Sequence, residues 1–293
     1  MADTTISSLE QLSAAMADAV AAASRGVVAV HAARSRASGF VWRDGLIVTS
    51  EEALPDEGDV AVLLPDGGKL PASIVGRDAA TDVALLRVEG AAPSPIAFDA
   101  APVRAGSIAL AVGSQAGTAV AAAGVVSLVG PAWRSLRGGD IDLRIELDLV
   151  MRRSVEGALA LDAGGRAIGM AVFGPRGRVL VIPGTTVERV ASQLAAHGRV
   201  PRGYLGVALQ PVKVEPDGIG AMVMGIDRDG PGAKAGVRQG DVILAWNGEP
   251  VRSVHMLLRS LGPASVGTAV TLSLRRAGEP LELPIAVGER PVD

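Results

Sequence analysis

The side chains that most often act as nucleophiles, bases or metal ligands are scarce in this sequence. The chain has no cysteine and only three histidines, His31, His197 and His255, which lie far apart along it. Without cysteine the chain can form no disulfide, no thiolate metal site and no cysteine nucleophile. This leaves the redox compartment open, and we expect neither a cofactor nor a metal ion.

The composition is that of a protein with a sizeable apolar core. Of 293 residues, 48% are hydrophobic and 20% are charged, which suits a chain of roughly two domains. The 28 Lys and Arg against 31 Asp and Glu give a net charge of -3, so the sequence does not predict nucleic-acid binding. Because aromatic residues make up only 2%, the core must be built from Val, Leu, Ile and Ala.

Two stretches bear on the compartment. The sequence from Met1 to Thr4 has no basic region and no long apolar stretch, so we expect a cytoplasmic protein, or a periplasmic one if a signal was removed. The run between Arg104 and Arg134 is uncharged and long enough for a membrane helix. Its glycines and β-branched residues indicate short strands instead, and we expect no membrane span.

Apolar spacing places the elements that must position any site. It predicts a helix over 8–24, with Ser8 as its cap. Six strand-like runs then predict a closed antiparallel barrel: 26–32, 39–42, 46–49, 59–64, 70–76 and 82–88. Six more predict a second barrel: 107–112, 119–129, 143–147, 159–161, 167–173 and 179–182. A helix over 185–196 leads to a smaller unit that begins at Arg202 and includes a helix over 253–261.

Several segments together resemble the HtrA/Deg family of trypsin-like serine proteases, from residue 10 to residue 288. They are Gly39 to Val41 with Asp44 to Thr49, Thr81 to Leu86, Ala167 to Met170, Arg202 to Val207, and Gly240 to Ile243. The resemblance implies a mainly β fold, in which a two-barrel trypsin-like (chymotrypsin-type) domain precedes a C-terminal PDZ domain. We expect an N-terminal helix over 1–25, the trypsin-like domain over 26–198 and the PDZ domain over 202–289. Within the trypsin-like domain, barrel 1 covers 26–95, barrel 2 covers 100–183 and a linker helix covers 185–197.

The family's catalytic positions carry unusual residues in this chain. Its chemistry needs a serine nucleophile, a histidine base and an aspartate that orients the histidine. By the resemblance, Glu52 stands at the histidine position, third after a Val-Thr pair, and Glu156 at the serine position, eight residues after Asp148. Asp82 keeps the aspartate position. The resemblance therefore implies a catalytically inactive member, a pseudoprotease and not an enzyme.

The loop around the serine position has changed as well. The resemblance implies a glycine-rich loop whose backbone N–H groups face a developing oxyanion, and Val155 and Ala158 are poorer occupants of such a turn, which argues further against the family mechanism. We interpret Asp82 as a structural residue. The three acids at the catalytic positions could be solvated, or paired with Arg152 and Arg153, or could bind a divalent cation or a basic peptide. The alternatives are an unorthodox hydrolase or protease using this acidic cleft, and a metal- or ligand-binding sensor at Glu52, Asp82 and Glu156.

The peptide-binding part of the PDZ domain looks intact by the same resemblance. Such domains add a peptide as a strand to a sheet edge and hold its carboxylate with backbone N–H groups. Tyr204, Leu205, Gly206 and Val207 resemble that loop and the receiving strand. On the helix opposite, we expect Leu258 to face the ligand, with or without Met256.

These features predict a protein that binds other proteins or C-terminal peptides through its PDZ domain and serves as a scaffold, chaperone or complex subunit. We expect an oligomer or a subunit of a larger complex, because an apolar stripe on the first helix should pack on a neighbour. The stripe consists of Leu9, Leu12, Met16 and Val20. The family's trimer through N-terminal aromatic residues is not expected, since residues 1–38 contain no Phe, Tyr or Trp.

Overall fold

The structure is a computed structural model that describes residues 7–32, 35–56, 58–90, 93–99, 102–215 and 218–291.

The first helix begins with a reciprocal pair of hydrogen bonds. The Ser7 hydroxyl accepts a hydrogen bond from the Glu10 backbone N–H, and the Glu10 carboxylate accepts one from the Ser7 N–H. This capping box starts helix α1, Ser8–Ser24, so the cap is Ser7 and not Ser8.

The apolar stripe of α1 is only partly covered by its own chain. Leu9 is 75% exposed and Leu12 is 41% exposed. Met16 and Val20 pack partly against the core, and Ala23 is buried. The expectation that this stripe packs on a neighbouring subunit or partner stays a prediction.

Six antiparallel strands form the first barrel. They are β1 (Val27–Ala32), β2 (Ser35–Arg43), β3 (Leu46–Ser50), β4 (Val60–Leu63), β5 (Lys69–Asp78) and β6 (Val83–Val88). Their order is β1-β2-β3-β6-β5-β4, and β1 closes the barrel by pairing with both β2 and β4. Val30, Ile47 and Leu86 are among the buried side chains that fill it.

The second barrel repeats this arrangement and carries a small ladder at its side. Its segment contains β7 (Ile108–Gln115), β8 (Thr118–Gly130), β9 (Trp133–Arg134), β10 (Asp140–Ile141), β11 (Arg144–Asp148), β12 (Ala158–Asp162), β13 (Ala167–Phe173) and β14 (Val179–Pro183). Six of these close in the order β11-β14-β13-β12-β7-β8, while β9 pairs with β10 alone. The uncharged run of the sequence thus forms β7 and β8. None of the helices in the described ranges is long and apolar enough to cross a membrane.

One cluster of buried side chains is shared by the two barrels and by helix α2, Gly184–His197. Phe40 comes from the first barrel, Leu159 from the second and Leu194 from α2, and all three are completely buried. Gly198 ends α2 in the left-handed conformation with φ 71°. The first compact unit of the chain, Met1–Val200, is therefore built around a joint core.

The second compact unit, Pro201–Asp293, has its own core. Its elements are β15 (Gly203–Tyr204), β16 (Val207–Val214), β17 (Gly218–Ile226), α3 (Pro231–Lys234), β18 (Val242–Trp246), β19 (Glu249–Pro250), α4 (Val254–Ser260), β20 (Ala269–Arg276), β21 (Glu279–Ala286) and β22 (Gly288–Glu289). The main sheet has the order β16-β17-β18-β20-β21, so β16 lies at an edge. Strand β19 adds to β18, and β15 pairs with β22.

The predicted architecture is confirmed: the chain is mainly β, with two six-stranded barrels followed by a smaller unit that has its own sheet. Besides the cap of α1 and shifts of some strand ends, two details differ from the sequence prediction. The ladder of β9 and β10 was not predicted, because two-residue strands have no periodicity to detect. Helix α4 begins at Val254, since Ser253 is its cap and accepts a hydrogen bond from the Met256 N–H.

Candidate functional site

Both barrels contribute to one cleft of about 510 Å³. Glu52 and Asp82 reach it from the turns that follow β3 and precede β6, and Glu156 reaches it from the turn before β12. The structure therefore brings together all three acids that the family resemblance placed at catalytic positions. No histidine is among the described residues that line this cleft.

Asp82 is held by its backbone and by two hydrogen-bond donors, the Ser50 hydroxyl and the Glu52 N–H. It has φ 58°, in the left-handed region that residues other than glycine seldom adopt. Its carboxylate accepts hydrogen bonds from the Ser50 hydroxyl at 2.8 and 3.0 Å and from the Glu52 backbone N–H at 2.8 Å. Burial nevertheless raises the pKa of Asp82 to about 7, with a smaller contribution from the charges of Glu52 and Glu156.

Glu156 is buried and lies at the end of a single 3₁₀ turn, Arg153–Val155. Its carboxylate accepts a hydrogen bond from the Phe173 N–H at 3.3 Å. Burial raises the pKa of Glu156, and the charge of Glu52 adds to this, while the charge of Arg153 opposes it. Burial therefore favours the protonated form of both acids, Asp82 and Glu156.

The backbone of this turn is satisfied internally. The Glu156 N–H donates to the Arg153 carbonyl at 3.2 Å, and the Glu156 carbonyl accepts from the Ser38 N–H at 2.8 Å. Gly157 follows with φ 83°, and a Cβ at this position would lie 2.4 Å from the Ser38 carbonyl oxygen. The N–H of Glu156 is thus already used, and it does not point freely at an oxyanion as the family mechanism requires.

Glu52 is the most open of the three acids. Its side chain is 48% exposed and pairs with Arg137 at 3.2 Å. Of Arg152 and Arg153, the two cations predicted from the sequence to pair with these acids, only Arg153 lines the cleft. Arg137 was missed because its loop reaches the cleft through a long-range contact, in which the Ser135 hydroxyl donates to the Ala80 carbonyl at 2.5 Å.

The remaining cleft wall is apolar, and the described residues do not form a metal site. Ile141, Val172, Phe173, Leu180 and Ile182 contribute side chains beside Glu156. Among the described residues, no group of three His, Asp or Glu side chains is placed to hold a metal ion. An apolar wall next to carboxyl groups suits a polypeptide segment better than a hydrated cation.

The second unit has an open sheet edge beside a glycine turn. Strand β16 pairs with β17 alone among the described strands. Gly206 precedes β16 with φ 72°, and in the described part of the chain the backbone N–H groups of Leu205 and Gly206 have no acceptor. The Tyr204 hydroxyl donates to Asp227 at 3.1 Å, which braces the turn.

Helix α4 lies across from this edge. Leu258 is 51% exposed, whereas Leu257 is buried in the core. Met256 lines a separate cavity of about 300 Å³ with Trp246 and Pro250. Of the two helix residues considered from the sequence, Leu258 is therefore the one whose side chain is exposed. Val207, on the strand, packs partly against the core.

Comparisons with known proteins agree with both units. Residues 37–170 match the family "Trypsin-like peptidase domain", and residues 203–287 match the family "PDZ domain". A probable periplasmic serine endoprotease, DegP-like, from Bartonella henselae is 34% identical over 269 residues, covering 87% of this chain and 53% of the relative. One of the same description from Chlamydia trachomatis is 33% identical, covering 88% and 55%. The chain spans about half the length of these curated relatives.

Solved structures show the same architecture. The serine endoprotease from Yersinia pestis superposes with a TM-score of 0.73 at 25% identity, covering 94% of this chain and 98% of the other. The HtrA-type protease AlgW with a decapeptide gives 0.73 at 23% identity, covering 94% and 99%. Because the identity to AlgW is only 23%, this similarity shows the fold alone.

These findings bear on two expectations, that the chain is not an enzyme and that it is cytoplasmic. The expectation that the chain is not an enzyme is wrong, because its relatives are named serine endoproteases and the structures it resembles are proteases. The residues at the substituted positions determine which groups are available for chemistry. The substitutions alone do not show that the chain is not an enzyme. The cytoplasmic location is not supported either, since the relatives are named periplasmic. The two matched domains, their order and these relatives show that the chain belongs to the HtrA/DegP family of trypsin-like serine proteases with a PDZ domain.

Proposed function

We propose that this protein binds polypeptide segments, and that its PDZ domain takes the carboxyl-terminal end of a partner protein. The open edge of β16 beside the unpaired N–H groups of Leu205 and Gly206 carries this proposal. A terminal carboxylate would accept from these N–H groups, while the peptide backbone extends the sheet at β16. Leu258 would contact the last apolar side chain of the peptide.

A pair of glycine variants tests this proposal. In Gly206→Ala the new Cβ would lie 3.0 Å from the Gly230 Cα, at a residue with φ 72°. Gly240→Ala is the matched control, because Gly240 has φ 88° and open space around the site of its Cβ. Both variants should lose about 1 kcal/mol of stability from the left-handed backbone. Only Gly206→Ala should lose peptide affinity, by about tenfold or more.

The measurement is calorimetric titration with a peptide ending in a free carboxylate, compared with the same peptide amidated. Leu258→Ala should also weaken binding, whereas Ile219→Ala, on the equally exposed Ile219 of β17, should not. The proposal is wrong if amidation leaves the affinity unchanged, or if the two glycine variants lose affinity equally.

We propose as a second function that the cleft receives an extended segment and hydrolyses it with carboxyl groups. The raised pKa values of Asp82 and Glu156 within one cleft favour this candidate. Below its pKa of about 7 Asp82 is protonated and can serve as the acid, while Glu156 in its ionised form can serve as the base. The ionised group would take a proton from the attacking water, and the protonated group would deliver one to the leaving nitrogen as the C–N bond breaks.

The corresponding assay is cleavage of casein and of quenched peptides between pH 4 and pH 9. Because an ionised Asp82 cannot act as the acid, activity should decline as pH rises through about 7. Glu156→Gln should abolish cleavage, and Glu89→Gln, at an exposed acid outside the cleft, should not. Inhibition by a serine-reactive fluorophosphonate, or full activity in Glu156→Gln, would contradict carboxyl catalysis.

We further propose a periplasmic location, because the curated relatives are named periplasmic. Scaffold, chaperone and oligomer roles stay predictions, to be tested by affinity purification from the native source. The expected boundaries, 1–25, 26–198 and 202–289, are likewise proposals, which limited proteolysis followed by mass spectrometry would test at the segment between 198 and 202.

A further inference from the structure

A second cavity of about 320 Å³ adjoins the cleft and is rich in arginine. Four guanidinium groups line it, and we call it the arginine pocket. They belong to Arg134 on β9, Arg144 on β11, and Arg176 and Arg178 in the turn before β14. Such a concentration of one charge is unusual in a chain whose overall charge is -3.

The acids in contact with these arginines do not balance them. Glu146, whose side chain is 8% exposed, pairs with both Arg144 and Arg178, at 3.1 Å from the latter, so both of its oxygens are in use. Arg134 pairs with Asp140. Arg176 has no ion pair or hydrogen bond among the described residues. Glu146 and Asp140 thus pair with Arg144, Arg178 and Arg134, while Arg176 adds a positive charge that no described residue pairs with, so the pocket is electropositive.

The backbone of Arg176 adopts a left-handed conformation that is unfavourable for arginine. Its φ is 62°, inside the short turn Pro175–Gly177. A left-handed residue other than glycine costs about 1 kcal/mol, and here the cost brings no internal contact for the side chain. The neighbouring wall contains an unsatisfied hydrogen-bond donor. The buried indole N–H of Trp133 has no acceptor among the described residues.

The arginine pocket and the cleft share a wall. Trp133, Leu136, Pro175 and Leu180 line both cavities, and Leu136 is 95% exposed. An extended polypeptide advances about 3.3 Å per residue, so a segment in the cleft reaches the arginine pocket within a few residues. A carboxylate matches guanidinium groups in both charge and geometry, because it can accept two parallel N–H hydrogen bonds.

We propose that the arginine pocket selects the polypeptide bound in the cleft by an acidic side chain, Asp or Glu, a few residues from the segment beside Glu156. This inference rests on the proposal that the cleft receives an extended segment. The three acids lie in the cleft and the unpaired Arg176 lies in the arginine pocket, so the preferred segment carries its negative charge away from Glu52, Asp82 and Glu156.

The test uses the full chain and peptides blocked at both ends, so that no terminal carboxylate can occupy the PDZ domain. One glutamate is moved along an aliphatic peptide, and each peptide is compared with its glutamine counterpart by calorimetry. At one position glutamate should bind about tenfold more tightly than glutamine, and the advantage should shrink in high salt.

Arg176→Gly is the decisive variant, because it removes the unpaired cation and relieves the left-handed backbone. It should keep or raise the melting temperature and still abolish the advantage of glutamate. Arg104→Gln is the control, since Arg104 is exposed and lines neither cavity. Arg178→Gln provides a second loss-of-charge variant.

The outcomes separate this inference from the proposed function. Equal affinity for glutamate and glutamine peptides at every position overturns the inference, while binding of the glutamine peptides keeps the cleft proposal intact. An equal loss in Arg104→Gln also overturns it, as does complete loss of the glutamate advantage in inorganic phosphate at matched ionic strength, which would indicate an unselective anion site. If no blocked peptide binds, both cleft proposals fail, and the PDZ titration is unaffected.

Discussion

Replacing Asp82 by asparagine should change how stability depends on pH. In the folded protein the pKa of Asp82 is raised from 3.8 to about 7, so the folded state binds this proton more tightly than the unfolded state does. Stability from Asp82 is therefore fully present below the unfolded pKa and is lost as pH rises through about 7. A difference of about 3 pH units, at about 1.4 kcal/mol each, gives about 4 kcal/mol between pH 4 and pH 8.

Asparagine resembles the protonated acid and cannot ionise. In Asp82→Asn this loss should be absent. Between pH 4 and pH 8 the free energy of unfolding of the variant should therefore rise by about 4 kcal/mol relative to that of the parent. Urea unfolding followed by the fluorescence of Trp42 and Trp133 reports on the first unit, in a background where Trp246→Phe silences the second. Asp44→Asn, at an exposed acid, is the control. Parallel pH curves for the parent and Asp82→Asn would refute the burial argument.

Two further predictions concern the same site. Gly157→Ala should destabilise the first unit by about 3 kcal/mol, because its Cβ meets the Ser38 carbonyl at 2.4 Å, whereas Gly106→Ala, with φ 85° and open space, should cost about 1 kcal/mol. Chemical denaturation measures both, and equal losses would contradict the steric argument. Ser50→Ala should raise the pKa of Asp82 further, because the Ser50 hydroxyl favours the ionised form. Carboxyl-carbon NMR titration measures this shift, and a lower pKa would be the contrary result.

The sequence predicted the fold because each strand carries its own local signal. Turn residues separate the strands of both barrels, and apolar spacing marks α1 at the residues where it forms. The positions of Glu52 and Glu156 followed from their distance to neighbouring motifs, which fixes the place of a residue along the chain. Family resemblance supplied the remaining step, from chain position to cleft.

The partners of those acids could not be predicted in the same way. Arg137 meets Glu52 because the loop that carries it is fastened to Ala80, and no local pattern encodes such a contact. The raised pKa of Asp82 also depends on burial produced by both barrels. The expectation that the chain is not an enzyme was wrong for a related reason: it followed from which residues were missing, whereas the relatives it matches are named serine endoproteases.

The core shared by the barrels and α2 has a consequence for how the first unit is made. Val27 lies near its beginning and Leu194 near its end, yet both belong to the same buried cluster. During synthesis, the first barrel would leave part of this cluster facing water until residues beyond 190 have emerged. Contacts so distant in sequence slow folding, and an unfinished apolar face invites aggregation. A chain truncated within α2 should therefore be recovered as insoluble material and not as a folded single barrel.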